Sequence, residues 1–118
     1  MASRTSSPLT HPDTADIDLF AVLSALSDPV RQQIVVTVLR YPGISCGRIE
    51  LGIAKSSMSH HYRVLREAGI LHQTDHGTNR ASEIRRVDLD NRFPGLIDLV
   101  LRETRVGVAP IRSRCVDR

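Results

Sequence analysis

Apolar positions along the chain fall into blocks whose spacing changes from one to the next. Over residues 15–26, Ile17, Phe20, Ala21, Leu23 and Leu26 recur at helical spacing and predict a first amphipathic helix. Ser27-Asp28-Pro29 interrupts the pattern. Asp28 can cap the orphan amides of a second helix and Pro29 suits its first position, after which Val30, Ile34, Val35, Val38 and Leu39 supply a buried stripe to about Arg40. Tyr41-Pro42-Gly43 stops that helix, and a short third one is expected over residues 46–51. After the tight connection 52–55, Met58, His61, Tyr62 and Leu65 predict a fourth helix over 56–68, ended by Gly69 as a left-handed cap. Ile70 and Leu71 on one side, and Ile84, Val87 and Leu89 on the other, flank a polar tip at 75–80, which reads as a two-stranded hairpin. Phe93, Leu96, Ile97, Leu99, Val100 and Leu101 predict a final helix over 92–105.

Residues 1–14 are rich in Ser, Thr and Pro and read as a flexible arm, and residues 107–118 read as a flexible basic tail, which leaves 15–106 as the domain. Its expected class is mainly α with a small β-hairpin, in the order α-α-α-α-β-β-α. Two helices around a short turn, followed by a β-ribbon, are the layout of a winged helix-turn-helix, whose second helix enters the DNA major groove. The outward face of the fourth helix carries Ser56, Ser59, His60, Arg63 and Arg66, opposite Met58, Tyr62 and Leu65. Small hydroxylated residues near a helix start admit the phosphate backbone, and arginine reaches base edges or phosphates. An ordinary solvated face is the competing reading, but such faces are usually richer in Glu and Lys. Alternatively, the winged fold serves as a protein-interaction module, a reading that an exposed apolar patch on this face would favour.

Composition narrows the picture. The chain has 118 residues, 41% of them hydrophobic, enough for one core and no second domain. Fifteen of its sixteen basic residues are arginine, against thirteen acidic ones, and the net charge is +3. Arginine binds phosphate or guanine through two bonds at once, so the bias points toward nucleic acid. Cys46 and Cys115 are too few for a disulfide framework or a four-thiolate metal site, and neither a membrane-length apolar run nor a signal peptide is present; a cytoplasmic protein is expected. Gly43-Ile44-Ser45-Cys46-Gly47 fits the letter of a nucleophile-elbow motif, but the elbow needs a parallel sheet and downstream acid and histidine that so small a chain has no room for, so no enzyme is expected.

The segments LSALSDPVRQQIVVTVL (23–39) and ISCGRIELGIAKSSMSHHYRVLREAGIL (44–71), with the hairpin after them, resemble the ArsR/SmtB family of winged-helix transcriptional repressors. The resemblance spans roughly residues 15–101 and is strongest at Leu26-Ser27-Asp28-Pro29-Val30-Arg31 and Ser59-His60-His61-Tyr62-Arg63-Val64-Leu65-Arg66-Glu67-Ala68-Gly69. It implies a homodimer on double-stranded DNA with an inverted-repeat operator, released by a signal that the sequence leaves unidentified. By position, Lys55, Ser56, Ser57, Ser59, His60 and Arg63 match the family's recognition segment, and residues 76–80, with His76, Thr78, Asn79 and Arg80, match its wing tip. The first and last helices are implied to form the dimer interface, where Ile17, Phe20, Leu96, Leu99 and Val100 are the candidates. The wide apolar face of the last helix points the same way.

Departures from the family pattern bear on the trigger. Ser45-Cys46-Gly47 stands where metal sensors of the family carry Cys-x-Cys, and residues 92–106 hold no histidine and only Asp98 and Glu103 as carboxylates. Neither familiar metal site is expected, nor any cofactor. Ala54 stands where a Ser or Thr cap is usual, so Ser56 is expected to shift the helix start inward. Arg48 replaces a capping-box Glu and is a candidate phosphate contact. His60 and His61 point about 100° apart on a helix. His60 is expected to face DNA and His61 to pack under the wing, while a pair of His72 and His76 on the wing stays open as a ligand site. A thiol switch between Cys46 and Cys115 is a further alternative; relatives with such a switch carry the first cysteine on the second helix, where this chain has Val35 and Val36.

Overall fold

The computed structural model describes residues 9–113. Two aspartates open its first two helices. Asp18 accepts the Ala21 N–H at 2.9 Å and caps α1 (Leu19–Ala25). Asp28 accepts the N–H groups of Val30 and Arg31 at 2.8 and 3.1 Å and caps α2 (Pro29–Arg40), where Pro29 fills the first position as expected. The first helix is shorter than the predicted 15–26. A 3-10 turn (Thr14–Asp16) precedes it, and extended backbone at Ile17 and Asp18 lets the Asp18 side chain restart the helix at Leu19.

Beyond Tyr41-Pro42-Gly43 the chain enters β1 (Ile44–Ser45). The helix predicted over 46–51 is only a 3-10 turn (Cys46–Arg48). A distant segment claims the backbone that would have continued it: Ile49 bridges Ile111, the Glu50 N–H donates to the Pro110 carbonyl at 2.9 Å, and the Arg112 N–H donates to the Arg48 carbonyl at 2.9 Å. α3 (Lys55–Glu67) then ends as predicted at Gly69, whose φ of 87° is the left-handed conformation.

β2 (Leu71–His76) and β3 (Asn79–Ile84) form the predicted hairpin, with Leu71 opposite Ile84 and His76 opposite Asn79. The sheet has three strands, because β1 adds to the free edge of β3 in the order β1-β3-β2, antiparallel throughout. Val87 and Leu89, read with the hairpin, belong instead to α4 (Arg86–Arg92), where Arg85–Asp88 and Arg86–Asp90 pair at helical spacing. Phe93-Pro94-Gly95 separates α4 from α5 (Leu96–Glu103), so the final helix predicted over 92–105 starts only at Leu96 and ends at Glu103.

The α2 stripe of Ile34, Val35 and Val38 joins Leu65, Ile70, Leu71, Leu89 and Ile97 in one buried cluster. Both flanking segments lean on it. His11 stacks on His72 with ring centroids 4.2 Å apart and accepts the Gln73 N–H at Nε2 (3.1 Å), while Arg85 donates to the Pro12 carbonyl at 2.7 Å. At the other end Ala109 is buried and its N–H donates to Thr37 Oγ1 at 2.9 Å. Among the described residues, therefore, the expected arm and tail are packed where they meet the domain; 1–8 and 114–118 lie outside the description.

Candidate nucleic-acid interface

α3 separates two chemistries along its length. Tyr62 and Leu65 are buried and Met58 and Val64 half-buried, whereas Lys55, Ser56, Ser57, Ser59, His60 and Arg63 are exposed. The helix begins at Lys55 with Ala54 as its N-cap, so the expected inward shift to Ser56 does not occur; no side chain caps the first turn.

A groove of about 810 Å³ runs between α3, the hairpin and the loop before α3. It brings together Lys55, Ser59 and Arg63 from the helix with Thr78, Asn79 and Arg80 from the hairpin. Ser56, Ser57 and His60 lie on the exposed side of α3 outside this groove, and His76 is exposed at the hairpin end without lining it. Arg80 is held by Asp75 at 2.7 Å, both half-exposed.

Arg66, expected on the outward face of the helix, is half-buried and also lines this groove. It lies four residues after Tyr62, so the hairpin base covers its flank. Its Nη1 donates to Gln73 Oε1 at 2.7 Å, and its Nε is enclosed with no partner among the described residues. Burial, then the charge of Arg80, holds its pKa below the ordinary arginine value. Arg48 is likewise engaged internally, with Nε donating to the Arg112 carbonyl at 2.9 Å.

Under the groove lies a polar network that the sequence reading missed. Gln73 and Ser82 are buried; Gln73 Nε2 donates to Ser82 Oγ at 3.2 Å and to Cys46 Sγ at 3.1 Å, and Cys46 Sγ lies 3.2 Å from Ser82 Oγ. The Tyr62 hydroxyl donates to the Cys46 carbonyl at 3.4 Å. Alternation from Leu71 and from Ile84 turns both polar residues inward, and that period is the signal that could have found them. Burial pushes the Cys46 thiol up, opposed by the hydrogen bonds from Ser82 and Gln73, so thiolate is disfavoured there. Burial also raises the Tyr62 hydroxyl. Cys115, the other half of the supposed thiol switch, lies outside the described residues.

The histidines separate as follows. His61 does not sit under the wing: its Nδ1 accepts from Arg31 Nη1 at 3.1 Å, beside the start of α2. Burial, opposed by Asp28 and reinforced by Arg31 and His60, lowers its pKa. His72 is taken up by its stack on His11 rather than by His76. Among the described residues no group of three or more His, Cys, Asp or Glu converges to hold a metal ion. Nor is any helix there long and apolar enough to cross a membrane.

Of the dimer candidates, Phe20 is 72% exposed and Leu99 45%, while Leu96 and Val100 are half-buried. Ile17 is buried against Gly69 within the chain itself, so it has no surface to offer a partner. No family model matches the chain, and no curated protein matches it.

Proposed function

We propose that this chain is a sequence-specific, DNA-binding transcriptional regulator of the winged helix-turn-helix kind, similar to the ArsR/SmtB repressors, acting as a homodimer on an inverted-repeat operator until an unidentified signal releases it. One observation carries the reading: the hydroxylated and basic residues of α3 and the tip of the hairpin border the same groove. In this reading α3 reads base edges in the major groove and the hairpin, as the wing, holds flanking phosphates. The uncapped first turn of α3, flanked by Ser56 and Ser57, offers backbone amides to a phosphate oxygen. The exposed side of α3 bears no large apolar patch, which disfavours the reading as a protein-docking module. Phe20, Leu23 and Leu99, exposed on α1 and α5, support association of two copies through those helices.

Selection of bound duplexes from a random DNA pool tests the reading directly. Enrichment of a two-fold symmetric sequence, with half-sites about 34 Å apart and affinity falling steeply with salt, is the expected outcome. No enrichment, together with affinity indifferent to salt, would overturn it.

A further inference from the structure

The segment following α5 carries an arginine to the rim of the groove and fixes it there. Ala109 is anchored by its buried methyl and by the bond from its N–H to Thr37 Oγ1. Three residues later, Arg112 is clamped from both sides of its peptide: its N–H donates to the Arg48 carbonyl at 2.9 Å, and its carbonyl accepts from Arg48 Nε at 2.9 Å. Between these anchors the Pro110 carbonyl accepts the Glu50 N–H and Ile111 bridges Ile49. The strap is thus joined to the loop that leads into α3.

The Arg112 side chain lines the groove with Lys55 and Arg63. Its guanidinium meets Glu50, with Nε 2.6 Å from Oε2, and both side chains are nearly half exposed. An ion pair that exposed contributes little and is readily exchanged. A phosphate oxygen pair matches the guanidinium fork at least as well and brings the attraction of the whole duplex with it. Because the backbone is already fixed and Glu50 holds the guanidinium at the groove, little further ordering is needed to make that contact.

We propose that the strap at residues 109–112 is part of the DNA-binding surface, and that Arg112 exchanges Glu50 for a backbone phosphate of the duplex. Arg48 is then a positioning residue that acts through the Arg112 peptide. This inference rests on the DNA-binding reading above.

The test uses the full chain and a short duplex of mixed sequence, because phosphate contacts are read without sequence preference. Affinity is measured by fluorescence anisotropy over a range of salt for the wild type, Arg112→Gln, Arg112→Lys and Glu50→Gln. Arg112→Gln should weaken binding and flatten the plot of log affinity against log salt by about 1 for each protomer bound. Arg112→Lys should restore most of that slope, since it keeps the charge. Glu50→Gln breaks the same ion pair from the other side, and should bind as tightly as the wild type or more so. Equal loss of slope in Arg112→Gln and Glu50→Gln would show that only the ion pair matters and would overturn the inference, as would loss in neither. If the wild type itself shows no salt-dependent binding, the DNA-binding reading falls first and this one with it.

Discussion

Replacing Gly69 with alanine tests how α3 is joined to the rest of the molecule. Gly69 has φ of 87°, and a methyl group built on it would stand 2.7 Å from Ile17 Cγ1, 3.0 Å from Ile17 Cδ1 and 3.3 Å from Pro12 Cγ. The left-handed backbone costs an L-residue about 1–2 kcal/mol. Ile17 is only 1% exposed, so it has nowhere to retreat, and overpacking of this kind adds about 1–3 kcal/mol. The sum, about 2–4 kcal/mol after the smaller entropy gain in the unfolded chain, corresponds to a fall in Tm of roughly 10–25 °C for a domain of this size. Gly77 supplies the control. Its φ is 65° but no atom lies within 4 Å of the added methyl, so Gly77→Ala should cost only the backbone part, about 1–2 kcal/mol. Urea denaturation of both variants separates the two contributions, and Ile17→Ala combined with Gly69→Ala should recover part of the steric cost. A Gly69→Ala protein that is no less stable than Gly77→Ala would refute the close approach of Ile17.

Three further perturbations address the interface and its supports. Arg63→Ala should weaken binding to a selected operator by about 1–3 kcal/mol while leaving the fold intact, whereas Arg66→Ala, which orphans buried Gln73 Oε1, should lower thermal stability by about 1–2 kcal/mol; the reverse pattern would exchange their roles. His11 Nε2 and His61 Nδ1 each accept a hydrogen bond and so must be unprotonated there. Burial first, then His72, Arg66 and Arg85, depresses the His11 pKa below 6.5, and burial depresses that of His61. The unfolded chain therefore takes up these protons first. The stabilisation present above pH 6.5 is lost as pH falls through 6.5 and the lower folded values, and a double His11→Gln, His61→Gln variant should show a flatter dependence of the urea midpoint on pH over that interval. Thr37→Val leaves the Ala109 N–H buried without its acceptor and should cost about 1–3 kcal/mol with faster amide exchange at Ala109, whereas Thr37→Ser should exchange like the wild type.

What could be read in advance was what short stretches of chain decide by themselves. Asp28-Pro29 opens a helix through one side-chain oxygen and one fixed φ, Gly69 closes another through its backbone freedom, and the hairpin follows from strand-forming residues around Gly77-Thr78. The misreadings at residues 46–51 and at β1 share a cause. Residues 46–51 carry helix-compatible side chains, but partners sixty or more positions away take their backbone into extended pairing. β1 is too short to signal itself and exists because the edge of β3 needed covering. α4 was legible after all, from the spacing of Arg85, Arg86, Asp88 and Asp90 and from Pro94-Gly95 behind it; alternation at Val87 and Leu89 outweighed both. On α3, the exposed face followed from period alone, but the bond of half-buried Arg66 to Gln73 depended on where the hairpin folds back, which no local pattern encodes.

The two straps that clasp the sheet and the loop before α3 have a practical consequence for anyone trimming this protein to a minimal fragment. A fragment cut to residues 15–106, the span marked out by hydrophobic periodicity, discards the His11 ring from its seat on His72 and the Ala109 methyl from the interior. Such a fragment would keep every α-helix and strand and still lose these clasps, so a fragment that retains them must reach at least from His11 to Arg112.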